Sequence, residues 1–298
     1  MKLIIDPAYQ GLAFELAKEW EVLRTDFKRF PDGELYFRFK EPVEGENVSI
    51  LVAGYPHQDR AILRTVLLSR TLRDLGANAI LGIIPYFPYA RQDKRFRSGE
   101  PISAKAVAES LFESGVNKIL TVDVHSEGVF AEFGGSFMNL SSIGRWADYL
   151  TENLEGDFFL IAPDQGRSKT VRRLAQKAAC DFITLSKERN LETGEIEDIV
   201  VKQEKLQKLS KQCEVAILFD DIISTGGTAS TAIQEVHKAF EGDVIAAFTH
   251  GLFQSGSISK LLRAGTDKIL TTDTVNTSYS DVSVAPLLSR KIKEITKQ

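Results

Sequence analysis

Residues Val215 to Thr228, VAILFDDIISTGGT, join a pair of adjacent carboxylates to a cluster of small hydroxyl residues and glycines. Asp220 and Asp221 are able to accept hydrogen bonds from two neighbouring hydroxyl groups of a ligand. Ser224, Thr225, Gly226, Gly227 and Thr228 can wrap a phosphate, because the glycines let the backbone turn its amides inward and the helix that follows offers its positive end. Two carboxylates would repel a nucleoside triphosphate standing alone. A sugar phosphate suits both parts, with hydroxyls for the acids and a phosphate for the loop. The apolar run before the acids reads as a strand of a parallel sheet, hydrophobic on both faces, which puts the pair at its carboxyl end, where open α/β sheets hold ligands. A strand closed by an ordinary polar turn is the plainer reading, but strand, acid pair, small-residue loop and helix must then coincide by chance.

Four other places carry candidate chemistry. Tyr86 to Pro101, YFPYARQDKRFRSGEP, crowds Arg91, Lys94, Arg95 and Arg97 into seven residues, with Tyr86, Phe87, Tyr89 and Phe96 nearby. Such a loop can hold a nucleotide polyphosphate and stack a base; composition alone admits a solvated charged loop equally. His125 ends the run Lys118 to Val124, and a lone His there is more often a surface residue than a metal ligand. Asp164 lies in APDQGRSK, which lacks the GxxxxGK[ST] spacing of a Walker loop. In Leu185 to Asn190, LSKERN, Lys187 and Arg189 are two apart on an extended segment and can converge on one anion, or stand as solvated charges.

The elements that must position these residues alternate along the chain, as in an α/β protein with mostly parallel sheets. In a first half Lys2–Ile5, Val48–Ala53, Ala79–Ile84 and Lys118–Val124 read as strands, with helices over Gly11–Trp20, Asp59–Leu75 and Ile102–Ser114. In a second half the strands are Phe158–Ala162, Phe182–Leu185, Val215–Phe219, Val244–Thr249 and Lys268–Thr272, with helices after Arg167, Thr228 and Ile258 and a last one over Ala285–Lys297. GVNKILTVDV at Gly115 to Val124 and GTDKILTTDT at Gly265 to Thr274 fall at corresponding points, so the fold reads as duplicated, with domains over 1–142 and 143–298. A chain of 298 residues, 43% hydrophobic, has room for two such domains. Its net charge of −4 and pI near 5.7 supply no global positive field for nucleic acid or anionic lipid. Cys180 and Cys213 form no CxxC pair, and no apolar run approaches the roughly 20 residues of a membrane span. A cytoplasmic protein is expected.

DDIISTGGT resembles the phosphoribosyl-diphosphate (PRPP) binding motif of phosphoribosyltransferases and PRPP synthases. YARQDKR followed by EPISAKAVAESL is similar to a segment of the PRPP synthases (ribose-phosphate diphosphokinases), as is KRFPDGELYFRF at Lys28 to Phe39, which the residues alone mark as a hairpin around a Pro-Asp-Gly turn. The resemblance to that family spans nearly the whole chain, and implies two similar phosphoribosyltransferase-like domains, each a mostly parallel sheet flanked by helices. It also implies that Arg91 and Gln92 contact ATP, and that Phe30, Asp32 and Glu34 reach the adenine pocket of an adjacent subunit, making the protein a homo-oligomer. His125 would contact Mg²⁺ and ATP, Asp164 a second Mg²⁺ or the ribose side, and Lys187 and Arg189 would begin a catalytic loop. The expected reaction is Mg²⁺-dependent transfer of the β,γ-diphosphoryl group of ATP to ribose 5-phosphate, giving PRPP and AMP. Two departures stand out: Gly166 is alone where the family is richer in glycine, and Ser224 stands where many relatives have an acid. The rival readings are a phosphoribosyltransferase that consumes PRPP, against which the duplicated first half and the ATP-type elements count, and a regulatory relative, whose mark would be a change at the Lys or Arg; here both are present, along with His125.

Overall fold

A computed structural model describes residues 1–9, 11–189, 196–200 and 203–297, with the backbone alone over 186–189, 196–200 and at Gln203. Contacts divide the chain into two compact units, Met1–Ser141 with Thr274–Asn276 and Val284–Gln298, and Ser142–Asp273 with Thr277–Ser283.

In chain order the first unit holds β1 (Lys2–Ile5), α1 (Gly11–Ala17), β2 (Glu21–Val22), β3 (Thr25–Arg29), β4 (Leu35–Phe39), β5 (Asn47–Leu51), α2 (Gln58–Asp74), β6 (Ala79–Ile83), α3 (Ser103–Glu113), β7 (Lys118–Val122) and β8 (Phe137–Leu140). The second holds α4 (Ile143–Asn153), β9 (Phe158–Ala162), α5 (Gln165–Ala178), β10 (Asp181–Thr184), β11 (Ser186–Arg189), β12 (Ile196–Val200), α6 (Gln203–Ser210), β13 (Val215–Ile223), α7 (Gly227–His237), β14 (Asp243–Gly251), α8 (Ser257–Arg263), β15 (Lys268–Thr272) and β16 (Ser280–Val282). The last helix, α9 (Ala285–Thr296), returns to the first unit, where its Ala285, Leu288 and Ile292 are buried among Leu3, Leu12 and Leu16.

Each unit is built on a six-stranded parallel sheet, ordered β2-β1-β5-β6-β7-β8 in the first and β10-β9-β13-β14-β15-β16 in the second. Both are one topology. The two copies of the repeated decapeptide supply β7 and β15, fifth in each order, and their details agree. Asn117 accepts the amide of Ile80 through Oδ1 at 2.7 Å, as Asp267 accepts that of Val244 through Oδ2 at 2.8 Å. Gly115 and Gly265 both take positive φ, 116° and 96°, a conformation that glycine adopts without steric cost.

In both sheets the first strand leads outward to its neighbour while the third leads the other way, so the order reverses between β1 and β5 and between β9 and β13. Such a switch point leaves a crevice at the carboxyl ends of the strands. The strands on either side are apolar on both faces: Ala216 and Leu218 of β13 join one core, Val215, Ile217 and Phe219 the other.

Candidate active site

The second unit's switch point gathers the acid pair. β13 is longer than its apolar run: pairing with β9 ends at Leu218↔Ile161, but pairing with β14 continues to Ile223↔Gly251. Asp220 and Asp221 therefore sit within the strand, past the point where β9 has left. Asp221 is buried, 8% exposed. Facing them is the start of α5, which begins at Gln165, ahead of its expected place after Arg167. Asp164 caps that helix, its Oδ1 accepting the amide of Arg167 at 3.1 Å. The Arg167 side chain reaches both acids, Nε 3.2 Å from Asp220 Oδ1 and Nη2 2.8 Å from Asp221 Oδ2. Burial, and then the neighbouring Asp221, hold the Asp220 carboxyl well above the usual carboxylate range, with Arg167 pulling the other way.

After β13 the chain turns through Ser224 and Thr225 into α7. Gly226 is the helix cap at φ 75°, and a side chain there would bring a Cβ to 3.3 Å from the Ser257 carbonyl oxygen. At Gly227 the nearest atom to such a Cβ is Thr225 Oγ1 at 4.0 Å, so this loop is open. Thr225 and Thr228 are exposed and Ser224 half-buried. The loop thus presents hydroxyls and early helix amides beside the carboxylates, the combination a sugar phosphate requires. Lys187 and Arg189 lie on β11, paired antiparallel to β12 as Lys187↔Ile199 and Arg189↔Ile196. Their side chains, and the loop 190–195, lie outside the described residues.

The first unit carries the remaining candidates. Arg91 and Gln92 are exposed in the loop ahead of α3, where Gln92 Oε1 accepts from Ser103 Oγ at 2.6 Å. The carboxylate of Glu100 shapes this loop by accepting the amides of Phe96 and Arg97, both at 2.9 Å. Its aromatics divide. Phe96 is 66% exposed, whereas Tyr86 and Phe87 are buried, Phe87 packing edge-on against Phe130 and Phe137, and cannot stack on a base. Phe30, Asp32 and Glu34 occupy the exposed tip of the β3–β4 hairpin, where Asp32 Oδ1 accepts the Glu34 amide at 3.1 Å and Phe30 packs edge-on against Tyr36. His125 is half-buried just past β7. Among the described residues, no group of three or more His, Cys, Asp and Glu is gathered to hold a metal, and no helix is long and apolar enough to cross a membrane.

Sequence reasoning did not single out Arg167. Its only signal is a cation three residues beyond a helix-capping acid, and the partner it reaches is more than fifty positions away.

A family model for the N-terminal domain of ribose phosphate pyrophosphokinase matches residues 1–115. The chain is similar to the ribose-phosphate pyrophosphokinase of Sulfolobus acidocaldarius, 35% identical over 91% of this chain and 92% of that protein. The same named protein of Methanothermobacter thermautotrophicus is 34% identical over 91% of each. The crystal structure of phosphoribosylpyrophosphate synthetase from Mycobacterium smegmatis matches with a TM-score of 0.86 at 27% identity, covering 99% of this chain and 98% of that one. The chain belongs to the ribose-phosphate pyrophosphokinase family, and its two parallel sheets are of the phosphoribosyltransferase type.

Proposed function

We propose that this chain catalyses attack of the 1-hydroxyl of ribose 5-phosphate on the β-phosphorus of Mg²⁺–ATP, giving PRPP and AMP. The observation that carries the reading is the pairing, at one switch point, of the Asp220–Asp221 acceptors with the open Ser224–Thr228 loop at the start of α7. The loop amides and hydroxyls take the 5-phosphate and the carboxylates the ring hydroxyls, so the nucleophile is held in place before reaction.

As the 1-oxygen bonds to the β-phosphorus, the bond from that phosphorus to the α,β-bridging oxygen breaks. AMP leaves with that oxygen and the hydroxyl proton passes to solvent. Little covalent chemistry falls to the protein in such transfers; positioning and charge neutralisation do most of it. Lys187 and Arg189 are assigned to the negative charge that grows on the transferred group, each worth a few kcal/mol of transition-state stabilisation. Arg91 and Gln92 are assigned to ATP.

The metal enters with the nucleotide, since Mg²⁺ takes one or two protein ligands and completes its shell with phosphate oxygens and water. Asp164, a hard oxygen donor at the carboxyl end of β9, fits it directly. His125 would contact Mg²⁺ together with ATP, the part the family resemblance gives it. Phe30, Asp32 and Glu34 project from an exposed hairpin tip, consistent with an adenine site shared with a second copy of the chain in a homo-oligomer.

Phosphorus NMR of the protein with ATP, ribose 5-phosphate and Mg²⁺ tests the reaction. AMP and a sugar diphosphate appearing together are expected; ADP would mean attack at the γ-phosphorus and refute the proposal.

A further inference from the structure

Arg167 places a permanent charge against the two carboxylates that face the sugar. Its side chain is 21% exposed, that of Asp221 10% and that of Asp220 23%. A guanidinium cannot lose its proton in a protein, and its Nε–Nη edge is a rigid two-donor fork. Here the fork is not spent on one carboxylate. Its nearest contacts are Oδ1 of Asp220 and Oδ2 of Asp221, so it spans both acids.

Two adjacent, desolvated carboxylates resist being ionised together. Burial and Asp221 raise the Asp220 carboxyl, and the Arg167 guanidinium is the side chain that pulls it back. The Asp221 amide, which donates to Asp220 Oδ1 at 2.8 Å, fixes one acid to the backbone of the other. Arg167 fixes the second contact and supplies the countercharge. It is itself anchored by the Asp164 cap on the first turn of α5.

We propose that Arg167 is a positioning residue that ties Asp220 and Asp221 into a single two-pronged acceptor for a vicinal diol, and so sets the preference for a ribose over a 2-deoxyribose phosphate. This rests on reading the site as a sugar-phosphate site. The residue touches the acids and not the reacting atoms, so its effect falls on sugar binding and discrimination more than on turnover.

The test is calorimetric titration of the whole protein and its Arg167→Ala and Arg167→Lys variants with ribose 5-phosphate and 2-deoxyribose 5-phosphate, beside steady-state kinetics. Arg167→Ala is expected to weaken ribose 5-phosphate about ten- to a hundredfold, as for loss of a desolvated charge partner, and the deoxy sugar only a few-fold. Turnover at saturating sugar should fall much less. Arg167→Lys keeps a charge without the fork and should recover part of the discrimination. Unchanged or tighter ribose 5-phosphate binding in Arg167→Ala, or equal weakening of both sugars, overturns the proposal. Should circular dichroism show Arg167→Ala unfolded, Arg167→Lys decides alone, and wild-type discrimination in it overturns the proposal. A wild-type protein that binds neither sugar refutes the sugar-phosphate reading, and this inference with it.

Discussion

The gap between β1 and β5 in the first unit and that between β9 and β13 in the second are equivalent switch points, but the first is filled by its own side chains. There Asp6 is 3% exposed, its Oδ1 accepting the Ala8 amide at 2.9 Å and its Oδ2 accepting from Arg64 Nη2 at 2.5 Å. The loop leading to α2 is pressed onto its neighbour: a Cβ at Gly54 would lie 2.2 Å from the Tyr86 carbonyl oxygen. The second unit keeps an acid past its first strand, Asp164, and adds the Asp220–Asp221 pair on its third, while the loop to α7 stands open at Gly227. The arginines come from different helices: Arg64 of α2 pairs with one buried acid in the first unit, and Arg167 of α5 spans Asp220 and Asp221 in the second. Duplication preserved the sheet; the two crevices differ in which strands supply their acids and in how tightly the loop to the next helix is packed.

Changes that separate turnover from binding sharpen this contrast most. Lys187→Ala is expected to lower kcat about 10²- to 10³-fold while ribose 5-phosphate affinity changes no more than about threefold. Single-turnover kinetics beside calorimetry would show it, and equal losses in both would remove Lys187 from the chemical step. Asp221→Asn should weaken ribose 5-phosphate by about tenfold or more. Asp6→Asn, in the first unit, should leave that affinity alone. A lost affinity in Asp6→Asn would break the comparison.

The pH dependence of stability distinguishes the first unit further. Burial raises the Asp6 carboxyl above its ordinary range despite Arg64, so the folded state holds this proton more tightly than the unfolded one. Its contribution is fully present below the unfolded value and is lost as pH rises through the folded one. Asp6→Asn should flatten that acid-side drift in urea titrations.

Smaller effects follow at the loop and the hairpin. Gly226→Ala, forced to keep φ 75° against the Ser257 carbonyl, should cost about 1–2 kcal/mol of stability and weaken phosphate-bearing ligands, measurable by titration with ribose 5-phosphate. Phe30→Ala should change stability by less than about 0.5 kcal/mol, as expected of an exposed side chain, yet raise the KM for ATP. An unchanged KM would argue against an adenine role for the tip.

Buried strands were the most legible part of the fold. β1, β9 and β15 match their apolar runs end to end, since a strand covered on both faces has no polar positions to confuse the pattern. β13 was underestimated because its ladder with β14 continues under Asp220 and Asp221: backbone pairing, not side-chain polarity, decides where a strand stops. β2 and β16 are short edges with little hydrophobic signal, and β8 is an edge of four residues, too short to stand out. α4 was readable but overlooked, with Ile143, Trp146, Ala147 and Leu150 buried at helical spacing. At the site, the acid pair and glycine loop announced themselves because they are contiguous. Arg167 did not, because an ion pair between α5 and β13 exists only once the sheet has formed. Tyr86 and Phe87 were misassigned to the surface for the same reason, as nothing local says which aromatics the core will take.

The number of ribose 5-phosphate sites per chain, measured by calorimetry on the wild-type protein and Asp221→Asn, tests the asymmetry of the two switch points most directly. One site per chain, lost or severely weakened in Asp221→Asn and intact in Asp6→Asn, is the predicted result. Two sites per chain, or one that survives Asp221→Asn at full affinity, would contradict it.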